Sequence, residues 1–127
     1  MEKYVCDKII DNISRRYNVV SRDWFPDGMC SVKIELPDYT KVKLNFNVVD
    51  NSLYVDMFVQ RPFQEKLRMS YFSKDYNIYI AEVYTSREGF NLLYNFVVGV
   101  KFDHVKDKDF IMQGRFIDEM LRNLNIE

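Results

Sequence analysis

Nucleophilic or acid–base chemistry would have to come from very few residues in this chain. His104 is the only histidine, and Cys6 and Cys30 are the only cysteines. A histidine can act as a general base near neutral pH, and a cysteine beside it could be a nucleophile. Nothing around either cysteine supports such a pair, and a plain loop position between Asp103 and Lys106 explains His104 better. We therefore predict that His104 is not catalytic.

Carboxylate pairs near the C-terminus are the other candidates for acid–base chemistry. Asp107 with Asp109 and Asp118 with Glu119 are close in sequence, but charge at a helix start and on a solvated helix face explains both pairs. The sequence contains no phosphate-binding glycine loop, no metalloprotease histidine motif and no nucleophile elbow. We expect a protein that is not an enzyme and that uses no cofactor or metal ion.

Positive charge interleaved with aromatic side chains is a third pattern, and it is typical of surfaces that bind macromolecules. The predicted binding residues are Lys33, Lys41, Lys43, Tyr54, Asp56 and Phe58. Aromatic side chains beside lysines can stack nucleic-acid bases, whereas aromatic residues, methionine and arginine are enriched where proteins meet. With 18 basic and 19 acidic residues, the net charge of −1 disfavours nucleic acid. We expect a partner protein of unknown identity, with single-stranded nucleic acid as the alternative and a homodimer as a further candidate.

A hairpin positions these residues on one face of a sheet. The dipeptide Asp50-Asn51 suits the positive φ of a two-residue turn, and alternating apolar residues flank it. The resulting apolar pairs are Val48 with Leu53, Phe46 with Val55, Leu44 with Met57 and Val42 with Val59. The opposite face carries Asn47 with Tyr54, Asn45 with Asp56 and Lys43 with Phe58. Sliding one strand by one residue would turn its apolar set toward water, so the register is well specified.

The segment before this hairpin is predicted to contain a helix and two strands. Helical spacing over residues 2–17 gives a buried stripe of Val5, Ile9, Ile13 and Tyr17, widened by Cys6 and Ile10. Strands are expected at 19–25 and 29–36, joined by the turn Pro26-Asp27-Gly28. A loop of about five residues would then pair Leu36 with Val42, Ile34 with Leu44 and Val32 with Phe46.

The segment after the hairpin is predicted to return to the sheet and end in a helix. Residues 63–72 fit a short helix or a strand, and the helix is preferred because 64–66 are good helix formers. Strands are expected at 76–84 and 90–102, with a turn at 86–89 and apolar runs that suit coverage on both faces. Gly99 is expected to mark a bulge or the close approach of another backbone. The last helix is expected to begin near Asp107 and to include Leu124.

Together these elements predict a single α+β domain over residues 1–127. Its antiparallel meander sheet of five to six strands would carry the N-terminal and C-terminal helices on one face, over Val32, Leu44, Phe46, Val55 and Met57. The two cysteines are expected to be free thiols. Charged residues from the second position onward argue against a signal peptide, and no apolar run is long enough to span a membrane. We expect a cytoplasmic protein.

This order of a helix, antiparallel strands and a second helix resembles the small chaperone-like proteins associated with type III secretion. In those proteins a sheet backed by helices binds a client protein, so the resemblance implies a protein-binding role. A small inhibitor, such as a toxin immunity protein or a phage-encoded antagonist of host defence, fits the same features. We therefore expect a non-enzymatic protein-binding module that acts as an inhibitor, adaptor or chaperone-like protein.

Overall fold

One helix and eight strands make up the part of the chain that the structure describes. The structure is a computed structural model, and it describes residues 3–26, 28–62, 67–69, 77–103 and 124–126. The elements are α1 (Lys3–Ser14), β1 (Asn18–Trp24), β2 (Cys30–Glu35), β3 (Lys41–Val49), β4 (Ser52–Pro62), β5 (Leu67–Met69), β6 (Asn77–Glu88), β7 (Asn91–Asp103) and β8 (Leu124–Ile126). This composition confirms a fold that is mainly antiparallel sheet with an N-terminal helix. Within the described residues, no helix is long and apolar enough to cross a membrane.

Six strands form the main sheet in the order β1-β2-β3-β4-β7-β6, and β5 pairs separately with β8. The sheet is therefore a meander only as far as β4, because β7 lies between β4 and β6. All neighbouring strands in it are antiparallel. The predicted five to six strands match this sheet but omit the β5–β8 pair.

The β3–β4 hairpin has the predicted register at every predicted pair, from Val48 opposite Leu53 to Val42 opposite Val59. Its turn residues Asp50 and Asn51 have φ values of 51° and 64°, as a two-residue turn that matches strand twist requires. The apolar side of this hairpin is buried except at Val48, which is partly buried, so the alternation of the sequence specified both the register and the core face.

The predicted β2–β3 register is wrong by two residues, since Ile34 lies opposite Val42 and Val32 lies opposite Leu44. The loop is shorter than expected. Leu36 N–H donates to Thr40 O at 2.8 Å, Tyr39 N–H donates to Leu36 O at 3.1 Å, and Tyr39 has a φ of 66°. Such three-residue loops need positive φ at their last position, which a tyrosine rarely adopts. Because the error is an even number of residues, the predicted faces are correct.

The loop that joins β1 to β2 turns in the same way. Phe25 N–H donates to Met29 O at 2.9 Å, Gly28 N–H donates to Phe25 O at 3.0 Å, and Gly28 has a φ of 87°. Gly28 therefore occupies the position that Tyr39 occupies in the next loop. A glycine adopts this conformation without steric cost, so the turn was predictable here.

A polar cluster of the buried Arg61 and Thr40 with the exposed Asp38 holds the β2–β3 loop against β4. Arg61 is 9% exposed; its Nε donates to Thr40 Oγ1 at 3.1 Å, and its Nη2 lies 4.0 Å from Asp38 Oδ2. Asp38 Oδ1 also accepts a hydrogen bond from Thr40 N–H at 3.1 Å. Burial raises the pKa of Asp38, but hydrogen bonds from Thr40 and the charge of Arg61 outweigh it and hold that pKa below the ordinary 3.8. Burial lowers the pKa of Arg61, and Asp38 opposes that effect.

Helix α1 packs its apolar stripe on the core face of the sheet, where Cys6, Ile9, Ile10 and Ile13 join the buried strand residues. Cys6 and Cys30 form a disulfide, so the prediction of free thiols is wrong. The helix stripe and the start of β2 bring the two Cα atoms to 6.6 Å, within the range that a disulfide spans. Helical spacing placed Cys6 on the buried face of α1, and alternation placed Cys30 on the buried face of β2. Neither pattern revealed that the two cysteines meet.

The β6–β7 hairpin turns later than predicted. Its turn is Gly89-Phe90, with Glu88 opposite Asn91, so Phe90 is fully exposed in the turn rather than in a strand. Coverage on both faces is also wrong for β6, which is an edge strand with exposed Ile80, Val83 and Tyr84. Segments rich in β-branched and aromatic residues favour strands both at the edge and at the centre of a sheet. Composition alone therefore did not distinguish an edge strand from a central one.

The preferred helix at 63–72 is wrong for Leu67–Met69, which is strand β5. Its partner is β8, whose Leu124 lies opposite Met69 and therefore does not belong to the predicted last helix. A pairing between segments so distant in sequence overrides local helix propensity. Residues 63–66, 70–76 and 104–123, which hold the rest of both predictions, lie outside the described residues.

Candidate functional site

The predicted binding residues lie together on the outer face of the sheet, opposite the face that carries α1. Lys33 lies opposite Lys43, Lys43 opposite Phe58, and Phe58 opposite Val97 on β7. Lys41 lies between Glu35 and Gln60. Tyr54 and Asp56 precede Phe58 at alternate positions of β4, so the pleat places all three on the same face. The shared face is as predicted, and its role in binding stays a prediction.

A groove of about 500 Å³ crosses this outer face. Residues from all six strands line it, from Val20 on the edge strand β1 to Tyr84 on the opposite edge strand β6. The outer face is therefore concave at this level. Of the predicted residues, Lys33, Lys41, Lys43 and Phe58 line the groove, whereas Tyr54 and Asp56 do not.

Phe58 is the central apolar residue of the groove. It is 39% exposed although β4 is an interior strand, so a side chain from another molecule can reach its ring. Val97 lies beside it on β7, while Val20 and Tyr84 are exposed at the two ends. Val20 is an extra residue in β1, because the register with β2 shifts between Val19 and Ser21. This bulge turns an apolar side chain into the groove.

The lysines form the cationic half of the groove, on β2 and β3. Lys33 and Lys43 are direct cross-strand neighbours of like charge, an arrangement that is destabilising in a sheet. Lys41 lies two residues from Lys43 and has Glu35 opposite it in register. Within the described residues, the side chains of these three lysines form no salt bridge and no hydrogen bond. As far as those residues are concerned, the charge of the lysines is available to a ligand.

Asn95 fixes the end of the groove near β6. Its side chain is buried; Oδ1 accepts a hydrogen bond from Gln60 Nε2 at 3.1 Å, and Nδ2 donates to Ser86 Oγ at 2.7 Å and Tyr84 O at 3.4 Å. These bonds connect β4, β7 and β6 through side chains in addition to the backbone ladder. The floor of the groove is therefore preorganised.

Tyr54 and Asp56 belong to a separate tyrosine cluster with Tyr79, Gly99 and Lys101. The Tyr79 hydroxyl donates a hydrogen bond to Asp56, and its ring lies against Gly99. The rings of Tyr54 and Tyr79 meet edge-on with centroids 5.7 Å apart, and Lys101 Nζ lies 5.9 Å from the Tyr54 centroid. Burial raises the pKa of Tyr79, and the hydrogen bond to the Asp56 carboxylate raises it further.

Sequence reasoning missed Tyr79 and Lys101 as members of this cluster. The sequence signal that pointed to this cluster was Gly99, which we expected to mark a bulge or the close approach of another backbone. The bulge is instead on the facing strand, where the register shifts between Ile78 and Ile80 and leaves Tyr79 as the extra residue. A side chain, rather than a backbone, makes the close approach to Gly99.

Comparisons with protein-family models, with curated proteins and with solved structures found no match. In the part of the chain that the structure describes, no group of three or more His, Cys, Asp or Glu side chains is placed to hold a metal ion. His104 and the carboxylate pairs at 107–109 and 118–119 lie outside that part, so the predictions made for them stay predictions.

Proposed function

We propose that this protein binds a segment of a partner protein in the outer groove and acts without catalysis. The observation that carries the proposal is Phe58, which is 39% exposed at the centre of a groove lined by all six strands. Aromatic residues in preformed pockets are the residues that most often dominate protein–protein affinity. An inhibitor, an adaptor and a chaperone-like protein all work by holding a partner in this way.

The tyrosine cluster favours a protein over single-stranded nucleic acid. Base stacking needs an open aromatic face, but the Tyr54 ring meets Tyr79 on one side and has Lys101 near it. Tyr79 in turn is held against Gly99 by its bond to Asp56. Tyr54 is therefore not open for stacking, and the accessible aromatic side chains of the groove are Phe58 at its centre and Tyr84 at its end. Single-stranded nucleic acid is kept as the alternative because the lysines could also contact phosphates.

A cytoplasmic location stays a prediction, and one finding argues against it. The Cys6–Cys30 disulfide is of a kind that persists in oxidising compartments and is rare in the cytoplasm. Partner binding in the groove does not depend on this question, because both cysteines lie on the opposite, buried face.

The test is affinity capture from the native host lysate with matched baits. Wild-type protein and the Phe58→Ala and Phe90→Ala variants are immobilised at equal density, and retained proteins are quantified by mass spectrometry. Phe90 is a fully exposed phenylalanine in the β6–β7 turn, outside the groove, so it controls for general loss of an aromatic surface. We expect a protein retained by wild type and Phe90→Ala to fall at least about tenfold with Phe58→Ala.

Two further measurements make that result specific. Melting temperatures of the three baits should be similar, since Phe58 is a partly exposed side chain outside the core. Lys43→Ala should mainly slow association at low salt, because exposed charges at an interface act on encounter more than on dissociation. Equal retention by all baits would contradict the proposal. Retention of nucleic acid that falls steeply with salt would favour the alternative.

A further inference from the structure

We infer that the partner segment is acidic at one end and apolar at the other, with carboxylates against Lys33, Lys41 and Lys43 and an apolar side chain on Phe58. This inference rests on the proposed function and specifies the chemistry of the partner. It follows from the positions of the charged and apolar side chains along the groove. The β2–β3 half carries the lysines, with Val20 of β1 beyond them, and the β4–β7–β6 half carries Phe58, Val97 and Tyr84.

The cationic half is short of negative charge. Its three lysines are accompanied by one lining carboxylate, Glu35, which lies opposite Lys41. Lys33 and Lys43 face each other directly, and the Cβ atoms of such a pair are about 5 Å apart. A carboxylate placed between these two ammonium groups would relieve their repulsion and gain two ion pairs. The free protein therefore carries an unfavourable interaction that an acidic ligand removes.

The apolar half would strengthen these ion pairs. An apolar side chain seated on Phe58 would remove water from the centre of the groove, and Phe58 lies directly opposite Lys43. Charge interactions become stronger as water is excluded, because the local dielectric constant falls. Asn95 and Gln60, the polar groups between Phe58 and Tyr84, already bond to each other at 3.1 Å, so covering them does not break their mutual bond.

Negative charge on the far side of Phe58 argues for a partner with this polarity rather than for a uniform polyanion. The cross-strand row that contains Lys43 continues through Phe58 and Val97 to Glu82 on β6. Asp56 lies on the same face, two residues before Phe58. A phosphate backbone extending from the lysines across the groove would approach Glu82. A protein segment whose charges end before its apolar residue avoids this repulsion.

Fluorescence anisotropy with four labelled probes tests the inference. The first probe is a short peptide in which a run of glutamates is followed by phenylalanine and leucine. The matched probes replace the glutamates by glutamine, or the two apolar residues by serine, and the fourth is an oligothymidylate of similar length. We expect the first probe to bind at least about tenfold more tightly than each of the others.

Variants assign that binding to the groove. The double variant Lys33→Gln/Lys43→Gln should weaken the acidic probe at least about tenfold and flatten its salt dependence. Arg87→Gln removes one positive charge from the opposite face of the sheet and should leave the affinity unchanged. The double variant should fold as well as wild type or better, because it removes a like-charged pair.

The outcomes separate this inference from the proposed function. If the acidic and glutamine probes bind equally, or if the lysine variant binds like wild type, the acidic partner is excluded. Capture of a protein that depends on Phe58 would still support binding in the groove. If capture does not depend on Phe58 either, both proposals fail. Tighter binding of oligothymidylate than of the acidic peptide would overturn the inference in favour of nucleic acid.

Discussion

The ring of Tyr79 on β6 lies against Gly99 on β7, and this contact brings its hydroxyl to Asp56 on β4. A Cβ atom at position 99 would lie 2.5 Å from the Cε2 and Cζ atoms of that ring. Since the Tyr79 side chain is 45% exposed, it can swing into solvent. We expect Gly99→Ala to release Tyr79 and to lower the unfolding free energy by about 1 kcal/mol, measured by urea denaturation.

A double-mutant cycle controls this prediction. Tyr79→Ala should cost a similar amount, and adding Gly99→Ala to it should cost little more, because the ring that a new Cβ would meet is gone. Additive losses in the double variant would mean that Gly99 is required for a reason other than Tyr79.

Phe46 is the largest fully buried side chain of the β3–β4 hairpin. Phe46→Ala should lower the unfolding free energy by about 3 to 5 kcal/mol, because it removes apolar contacts and leaves a cavity. Urea melts can be compared with Phe90→Ala, which truncates a fully exposed phenylalanine and should change stability by less than about 0.5 kcal/mol. A loss below about 1 kcal/mol for Phe46→Ala would be inconsistent with its place in the core.

The two equivalent loop positions should respond to substitution with opposite signs. Tyr39 has a φ of 66°, a conformation that costs a non-glycine residue about 1 kcal/mol or more. Tyr39→Gly should therefore raise the unfolding free energy, by up to about 1 kcal/mol after the added chain entropy of glycine is included. Gly28→Ala, at a φ of 87°, should lower it by about 1 kcal/mol. Thermal melts of both variants check the signs, and changes of equal sign would refute the equivalence of the loops.

Acid should weaken the protein partly through Asp38. Its pKa in the folded state is held below 3.8, so its contribution to stability is present above that value and is lost as the pH falls through the folded pKa. The expected effect is small because the side chain is 54% exposed. Melting temperatures between about pH 6 and pH 3 should fall more steeply for wild type than for Asp38→Asn. Parallel curves would show that Asp38 is not coupled to Arg61 and Thr40.

Reduction should destabilise the protein through the Cys6–Cys30 disulfide, which joins residues separated by 24 positions. Dithiothreitol should lower the unfolding free energy by about 2 to 4 kcal/mol, because the cross-link restricts the unfolded chain. The Cys6→Ala/Cys30→Ala variant should not respond to the reductant. Detection of free thiols in protein that is denatured without a reductant would instead support the prediction that both cysteines are free.

The parts of the fold that sequence predicted are those determined by local geometry. Asp50 and Asn51 accept positive φ readily, so the β3–β4 register followed from the turn. Tyr39 adopts the same region against its preference, and the neighbouring register was missed. The disulfide and the β5–β8 pair join segments distant in sequence, and no local pattern encodes such meetings.

The candidate site was predictable to the same extent. Lys43 and Phe58 came from the hairpin alone, and Lys33 came from the alternation of β2, which kept the correct face. Val97 and Tyr84 were missed because they join the groove only when β7 lies next to β4 and β6 lies beyond it. Strand order of this kind depends on packing across the whole sheet, which one sequence does not reveal.

Both edge strands of the main sheet carry a bulge, at Val20 in β1 and at Tyr79 in β6. Edge strands expose unpaired backbone groups, and a long regular edge invites uncontrolled growth of the sheet into aggregates. Each extra residue interrupts the spacing of those groups and increases the local twist. The bulges at Val20 and Tyr79 therefore make both edges of the sheet poor templates for fibril-like stacking. This protects a chain whose strands are rich in aromatic residues.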